Sequence, residues 1–239
     1  MPEKGSILPV LAILGGTGKE GTGLGMRWAS RGYRVVIGSR QAEKAQAAAA
    51  ELNQKLAAFG APFIPVEGLE NKEAARCASV CILTVVQAAH QEALVQLKEA
   101  LQGKILVDAT ARVDFRDPRP PQPPSAARTA QDILGPAVRV TAAFQNVPAH
   151  SLKRNLGQSL DTDVLVCGED LEAARVVIGL AEAIGMRAWY AGGLDNALVA
   201  ESLTSILISI NKYYGVKTAS IAVTGVTQAV DPQEPGQSA

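Results

Sequence analysis

The sequence predicts an α/β fold, a doubly wound parallel sheet with helices on both faces, and three observations carry that expectation. Short apolar runs alternate with helical stretches along most of the chain. These runs are continuous in hydrophobicity rather than alternating, as parallel strands covered on both faces are. The first run, ILPVLAIL, ends at the glycines of GGTGKEG, and a helical stretch opens directly after them.

In chain order, ILPVLAIL is the first strand, Glu20 to Arg31 the first helix and RVVIG the second strand. The alanine-rich stretch from Gln41 to Phe59 is an outer helix of high propensity that carries no chemistry. PFIPVEG, SVCILTV and KILVDAT give three further strands, with a helix from Ala88 to Leu101 before the last. Phe115 to Ala127, FRDPRPPQPPSAA, holds five prolines and no periodicity, so it reads as a loop of polyproline character beside a site. Strands AVRVTAAF, TDVLVCGED and RAWYAGG follow, with helices from Leu171 to Ile184 and from Asn196 to Tyr214. Asp195 or Asn196 is placed to cap the last helix and Gly215 to end it. Its sequence LVAESLTSILISI is apolar almost all round, which implies burial against the first domain or a second copy, and a homodimer is expected. Residues 1–150 are read as a nucleotide-binding domain, 151–226 as a small C-terminal α/β domain for capping and dimerisation, and 227–239 as a disordered tail.

Composition removes several function classes. The 23 basic and 23 acidic side chains leave no net field for a phosphate backbone, and 4% aromatic content offers few stacking platforms, so no nucleic-acid partner is expected. No apolar run has the length of a membrane span or the form of a secretion signal, and Cys77, Cys81 and Cys167 make no disulfide framework. The expectation is a cytoplasmic protein with reduced thiols. Two histidines, and two cysteines four apart with no histidine near them, provide no metal site.

Gly16, Gly18 and Gly21 fit G-x-G-x-x-G between a strand and a helix. Glycines there permit a tight turn, let a pyrophosphate approach the backbone and let strand and helix pack closely, while the helix start supplies partial positive charge. The pattern calls for a Rossmann-type dinucleotide site. Ser39 stands 18 residues beyond Gly21, where a carboxylate would take the ribose hydroxyls of NAD, and no carboxylate is present. Ser39, Arg40 and Lys44 instead suit a 2′-phosphate, so the expected cofactor is NADP.

An acid–base constellation is harder to find. Tyr213 to Lys217 spells Y-x-x-x-K, yet Gly215 interrupts the helix that would present both side chains on one face. His90 follows the fourth strand, at the carboxyl edge of the sheet, where it either meets the nicotinamide half or caps the next helix; His150 lies on a site loop or on the surface. No catalytic side chain is assigned. Hydride exchange between two redox rings asks for orientation and exclusion of water more than for proton donors, so the second substrate can itself be a cofactor.

At this point LGGTGKEGTGLGMRWA with VVIGSRQAEK, then AAFQNVPAH, DTDVLVCGED and AGGLDNALVAESLTSILISIN, in that order, resemble the NADPH-dependent coenzyme F420 reductases. The resemblance implies an oxidoreductase that moves hydride between NADP and the deazaflavin, working as a dimer. It implies that Thr17, Gly18, Lys19 and Glu20 form the pyrophosphate loop, with Gly16, and that Ser39, Arg40 and Lys44 clamp the 2′-phosphate. It further implies that Val85, His90, Ala111 and Ala149 line the nicotinamide, that Val147 and Pro148 support the deazaflavin face, and that the segment around Ala219 closes the pocket. Val85 and Val86 replace the family's isoleucine-proline, AGGL replaces A-G-P-L, and Leu198 and Ser205 stand where the family has arginine and proline. Two other readings keep the first site: reduction of a small imine or ketone, and a non-catalytic NADPH sensor whose proline-rich loop meets a partner.

Overall fold

A computed structural model describes residues 8–154 and 156–226. The expected tail at 227–239 lies outside the described residues. Strands β1 (Leu11–Leu14), β2 (Val35–Ser39), β3 (Glu67–Glu70), β4 (Val80–Leu83), β5 (Ile105–Asp108), β6 (Arg139–Ala142), β7 (Asp163–Gly168) and β8 (Arg187–Tyr190) form one sheet in the order β3-β2-β1-β4-β5-β6-β7-β8. The first six are parallel, β7 runs antiparallel to β6, and β8 is parallel to β7. The order 3-2-1-4-5-6 is the Rossmann order.

Side-chain alternation in the strands divides the core in two. Leu11 and Ile13 join Leu24, Trp28, Leu52 and Val177 on the face covered by α1 (Lys19–Ala29), α2 (Ala42–Phe59) and α7 (Leu171–Ala183). Ala12 and Leu14 join Ala74, Leu94, Leu134 and Ala197 on the opposite face, under α3 (Asn71–Cys77), α4 (His90–Leu97), α5 (Ala126–Leu134) and α8 (Ala197–Tyr214). Both faces of the strands are therefore dry, which explains their unbroken apolar runs; each fully buried leucine-sized side chain contributes about 1.5–3 kcal/mol. Trp28 ties α1 to α7 by donating its indole N–H to Leu180 O at 2.8 Å.

Several elements differ from the expectation. The strand anticipated at PFIPVEG overlaps β3 only at Glu67 and Gly68, because Pro62 and Pro65 have no N–H to give a ladder. Helix α3 was not anticipated, and α5 begins at Ala126 inside the expected loop, where the Ser125 hydroxyl accepts the Arg128 N–H. The fourth helix starts at His90 after a single 3-10 turn, Gln87–Ala89, and a short α6 (Ala149–Leu152) follows β6. Neither candidate caps α8 through its side chain: Asn196 donates to Ala191 O and Asp195 pairs with Arg128. Gly215 does end that helix, with φ +65. The segment 151–226 supplies β7 and β8 to the same sheet. No described helix is long and apolar enough to cross a membrane.

Candidate functional site

β1 and β4 lie side by side, and the chain leaves them in opposite directions along the sheet, to β2 and to β5. A crevice opens at such a switch point, outside the carboxyl ends of the strands. Here it is a cleft of about 620 Å³ lined on one side by Gly15, Thr17 and Gly18 and on another by Ser39, Arg40 and Lys44. Its far wall is mixed, with Val85, Val86, Ala89 and Ala93 beside Thr84, Glu92 and Gln96.

The turn from β1 to α1 is shaped by what a Cβ would strike. At Gly16 it would stand 2.5 Å from Ile13 O, and at Gly21 2.6 Å from the Gly16 Cα, so helix and turn touch backbone to backbone. At Gly18 nothing lies within 4 Å, which leaves its face open to the cleft. Gly18 is also the N-cap of α1 and has no side chain to satisfy the first amides. Those orphan N–H groups and the helix dipole make an anion site. Glu20, half-buried in the first turn of α1, has its carboxyl pushed up to about 8 by burial.

Two further residues, outside the glycine motif, lock this turn. Gly15 adopts φ +69, and a Cβ there would meet the Val85 side chain at 2.6 Å. Asn71, buried at the start of α3, accepts the Gly15 N–H on Oδ1 at 3.1 Å and abuts Gly38. An asparagine directly after a strand end is the only trace that the sequence carries of this bridge. At the end of β2 the Ser39 hydroxyl is buried and accepts the Gln41 N–H at 3.3 Å. Arg40 and Lys44 are exposed and make no ion pair among the described residues. A nucleotide phosphate that met Ser39 would find two uncommitted cations beside it.

The second half of the expected site lies on the loops after β5 and β6. Ala111 is half-buried between Thr110 and Arg112, and both neighbours carry a buried polar atom without a partner among the described residues, Thr110 Oγ1 and Arg112 Nη2. Arg112 Nε is held by Glu201 of α8 at 2.9 Å, and Glu201 also accepts the Ala126 N–H. Burial raises the Glu201 carboxyl above its usual range, against the opposing pull of Ala126 and Arg112. In the β6 loop Phe144 takes φ +75, a conformation that costs a non-glycine residue about 1–3 kcal/mol, and packs edge-on against Trp28 at 5.8 Å. Asn146 donates to Ala200 O at 2.9 Å, and Thr204 donates to Gln145 O at 3.0 Å, so α8 fixes the loop that presents Val147, Pro148 and Ala149.

His90 stands behind this site and is not part of the cleft wall. It is buried, with Nε2 2.7 Å from Asp108 Oδ2, while Asp108 Oδ1 accepts the Thr110 N–H and Asp108 O accepts from Gln145. His150 is exposed, as are Tyr213 and Lys217, and Gly215 separates the latter two. Ala219 is half-buried, its N–H donating to Asn211 at 3.0 Å. Cys77 is exposed, whereas burial pushes the Cys81 and Cys167 thiols up to about 12 and about 11, away from nucleophilic chemistry. The described residues hold no group of three potential metal ligands.

Comparison with known proteins places this architecture. A family model described as NADP oxidoreductase coenzyme F420-dependent matches residues 10–112. The F420-dependent NADP reductase of Methanocaldococcus jannaschii is 40% identical over 90% of this chain and 98% of its own length. That of Methanothermobacter thermautotrophicus is 37% identical over 91% of this chain and 96% of its own. Among solved structures, a candidate F420-dependent NADP reductase from Arthrobacter sp. FB24 superposes with a TM-score of 0.72 at 27% identity, covering 90% of this chain and 100% of that one. The likeness runs through both halves of the site and nearly the whole length, and the chain belongs to the F420-dependent NADP reductase family.

Proposed function

We propose that this chain transfers a hydride between NADP(H) and the deazaflavin coenzyme F420. The end of β2 carries the NADP part: a buried serine and two unpaired cations stand where an NAD site needs a carboxylate. In this reading the amides at Lys19 and Glu20 hold the pyrophosphate, reached through Gly16, Thr17 and the open face of Gly18. Ser39, Arg40 and Lys44 take the 2′-phosphate. Bound together, the two rings supply the hydride chemistry between them.

The protein's own work is orientation and exclusion of water. Val85, Ala111 and Ala149 line the nicotinamide face, Val147 and Pro148 support the deazaflavin face, and the segment around Ala219 closes the space. His90 acts through Asp108, which holds the β5 loop by the Thr110 N–H and the β6 loop by Gln145. Such a function needs no covalent intermediate and no metal. Residues 1–150 serve the nucleotide, and 151–226 serve capping and dimerisation. Helix α8 leaves Val199, Ile206, Ile210 and Tyr213 exposed on the side away from the sheet, which supports a homodimer. Balanced charge and unbridged thiols support a cytoplasmic enzyme with no nucleic-acid partner.

The test is an absorbance assay with NADPH and oxidised F420, with NADH and an ordinary flavin in parallel. Rapid bleaching of the deazaflavin with NADPH alone is expected. NADPH binding without bleaching would contradict the proposal.

A further inference from the structure

Away from the nucleotide cleft lies a smaller pocket of about 330 Å³ that the hydride chemistry leaves unused. Three stretches meet around it: α6 with the turn behind it, the approach to β7, and the segment after α8. Building on the hydride-transfer reading, we infer that this pocket seats the anionic tail of the deazaflavin substrate, the phosphodiester and carboxylates carried on its ribityl chain.

The wall chemistry suits an oxyanion. Arg154 borders the pocket with an exposed guanidinium that forms no ion pair among the described residues. Thr162, 4% exposed, borders it too, and its buried hydroxyl has no hydrogen-bond partner among the described residues. A buried hydroxyl without a partner is uncommon in a folded protein and calls for an explanation. Ser151, Ser159 and Thr218 add further hydroxyls to the wall. Hydroxyls with one guanidinium are the groups that bind phosphate and carboxylate oxygens by charge-assisted hydrogen bonds.

One carboxylate, Asp161, also lines the pocket and opposes an anion. Two further guanidiniums lie outside the wall and hold the turn behind α6. Arg27, buried in α1, donates from Nε to Leu152 O at 2.7 Å and from Nη2 to Arg154 O at 2.7 Å. Its Nη1 serves Gln158 O at 3.0 Å and Ile184 O at 3.2 Å, so among the described residues its charge meets carbonyls. Arg31 donates to Gly157 O at 3.1 Å. Arg154 is the one arginine on the pocket wall, beside Asp161, and these carbonyl bonds hold the turn that carries it in place.

Position supplies the second argument. Pro148 belongs both to the pocket wall and to the loop proposed to support the deazaflavin ring. Thr218 and Ser220 flank Ala219, the residue proposed to close over that ring. A ring held between Pro148 and Ala219 therefore sends its side chain into this pocket. The closing segment is tied down in advance, with the Ser220 hydroxyl on Asp161 O at 3.0 Å and the Val223 N–H on Asp163 Oδ2 at 2.7 Å.

The experiment is a fluorescence titration of the NADP-bound protein with oxidised F420 and with the tail-less deazaflavin riboside, each repeated in low and high salt. Wild type is expected to bind F420 about tenfold more tightly or better, with the advantage shrinking in high salt. Arg154→Gln and Thr162→Val should each reduce that advantage while the Kd of the riboside and of NADP stays unchanged. Equal affinity for the two ligands in wild type, or variants that leave the advantage intact or weaken both ligands alike, would overturn the tail site; hydride transfer to both ligands would still stand. Binding of neither ligand, with no bleaching by NADPH, would instead remove the hydride-transfer reading and the tail site with it.

Discussion

The two halves of the site are built by different means. The turn from Gly15 to Lys19 and the end of β2 rest on backbone contacts between neighbours in sequence, enforced by glycines whose missing side chains would strike backbone at 2.5 and 2.6 Å. The β5 and β6 loops are held by side chains far apart in the chain: Arg112 with Glu201, Asn146 with Ala200, Thr204 with Gln145. A local backbone device leaves a short motif, whereas a long-range polar net leaves only scattered residues. The difference also predicts where substitutions hurt. Loss of a net member should unfold, and loss of a 2′-phosphate ligand should change only selectivity.

The largest effect is expected where the net is buried. Glu201→Ala leaves the Arg112 guanidinium and the Ala126 N–H without their acceptor, and should cost about 3–5 kcal/mol in a denaturant titration. A loss under 1 kcal/mol would show that the two halves do not differ in the way argued. Next comes Arg40→Glu, which should lower the NADPH over NADH preference in kcat/KM by about ten- to a hundredfold, at unchanged stability. An unaltered preference would remove Arg40 from selection. Asn71→Ala probes a long-range contact within the local half. It strips the Gly15 N–H of its acceptor and should cost about 1–3 kcal/mol while raising the KM for NADPH, and Asn71→Asp, which keeps an acceptor, should restore part of the loss.

The smallest effect concerns Glu20, whose carboxyl is held up to about 8 against an ordinary 4.5. Between those values the folded chain keeps a proton that the unfolded chain has released, so this group makes stability fall as pH rises through that window. Glu20→Gln should flatten the fall in Tm between those pH values. A pH profile identical to wild type would place the carboxyl in water.

Much of the fold was legible because its cause is local or periodic. β1, β4 and β5 are buried on both faces and announce themselves as apolar runs, and the Gly16, Gly18, Gly21 spacing sits between a strand and a helix as the turn requires. The end of β2 was legible because Ser39 and Arg40 replace one expected carboxylate at a fixed distance from the glycines. β3 was displaced because prolines end a ladder that hydrophobicity alone would extend. α3 and α5 were hidden by shortness and by the prolines ahead of Ser125. Asn71, Arg27 and the pairing of His90 with Asp108 join residues 18 or more positions apart, and no periodicity points to such partners.

The central claim is that hydride passes directly between two bound rings with the protein contributing no reacting group. NADPH deuterated at the transferable C4 position should deliver its label to the reduced deazaflavin, read by mass spectrometry after a single turnover in ordinary water. Retention of deuterium in the deazaflavin is the predicted result. Label lost to solvent, or left on the nicotinamide while the deazaflavin stays oxidised, would contradict it.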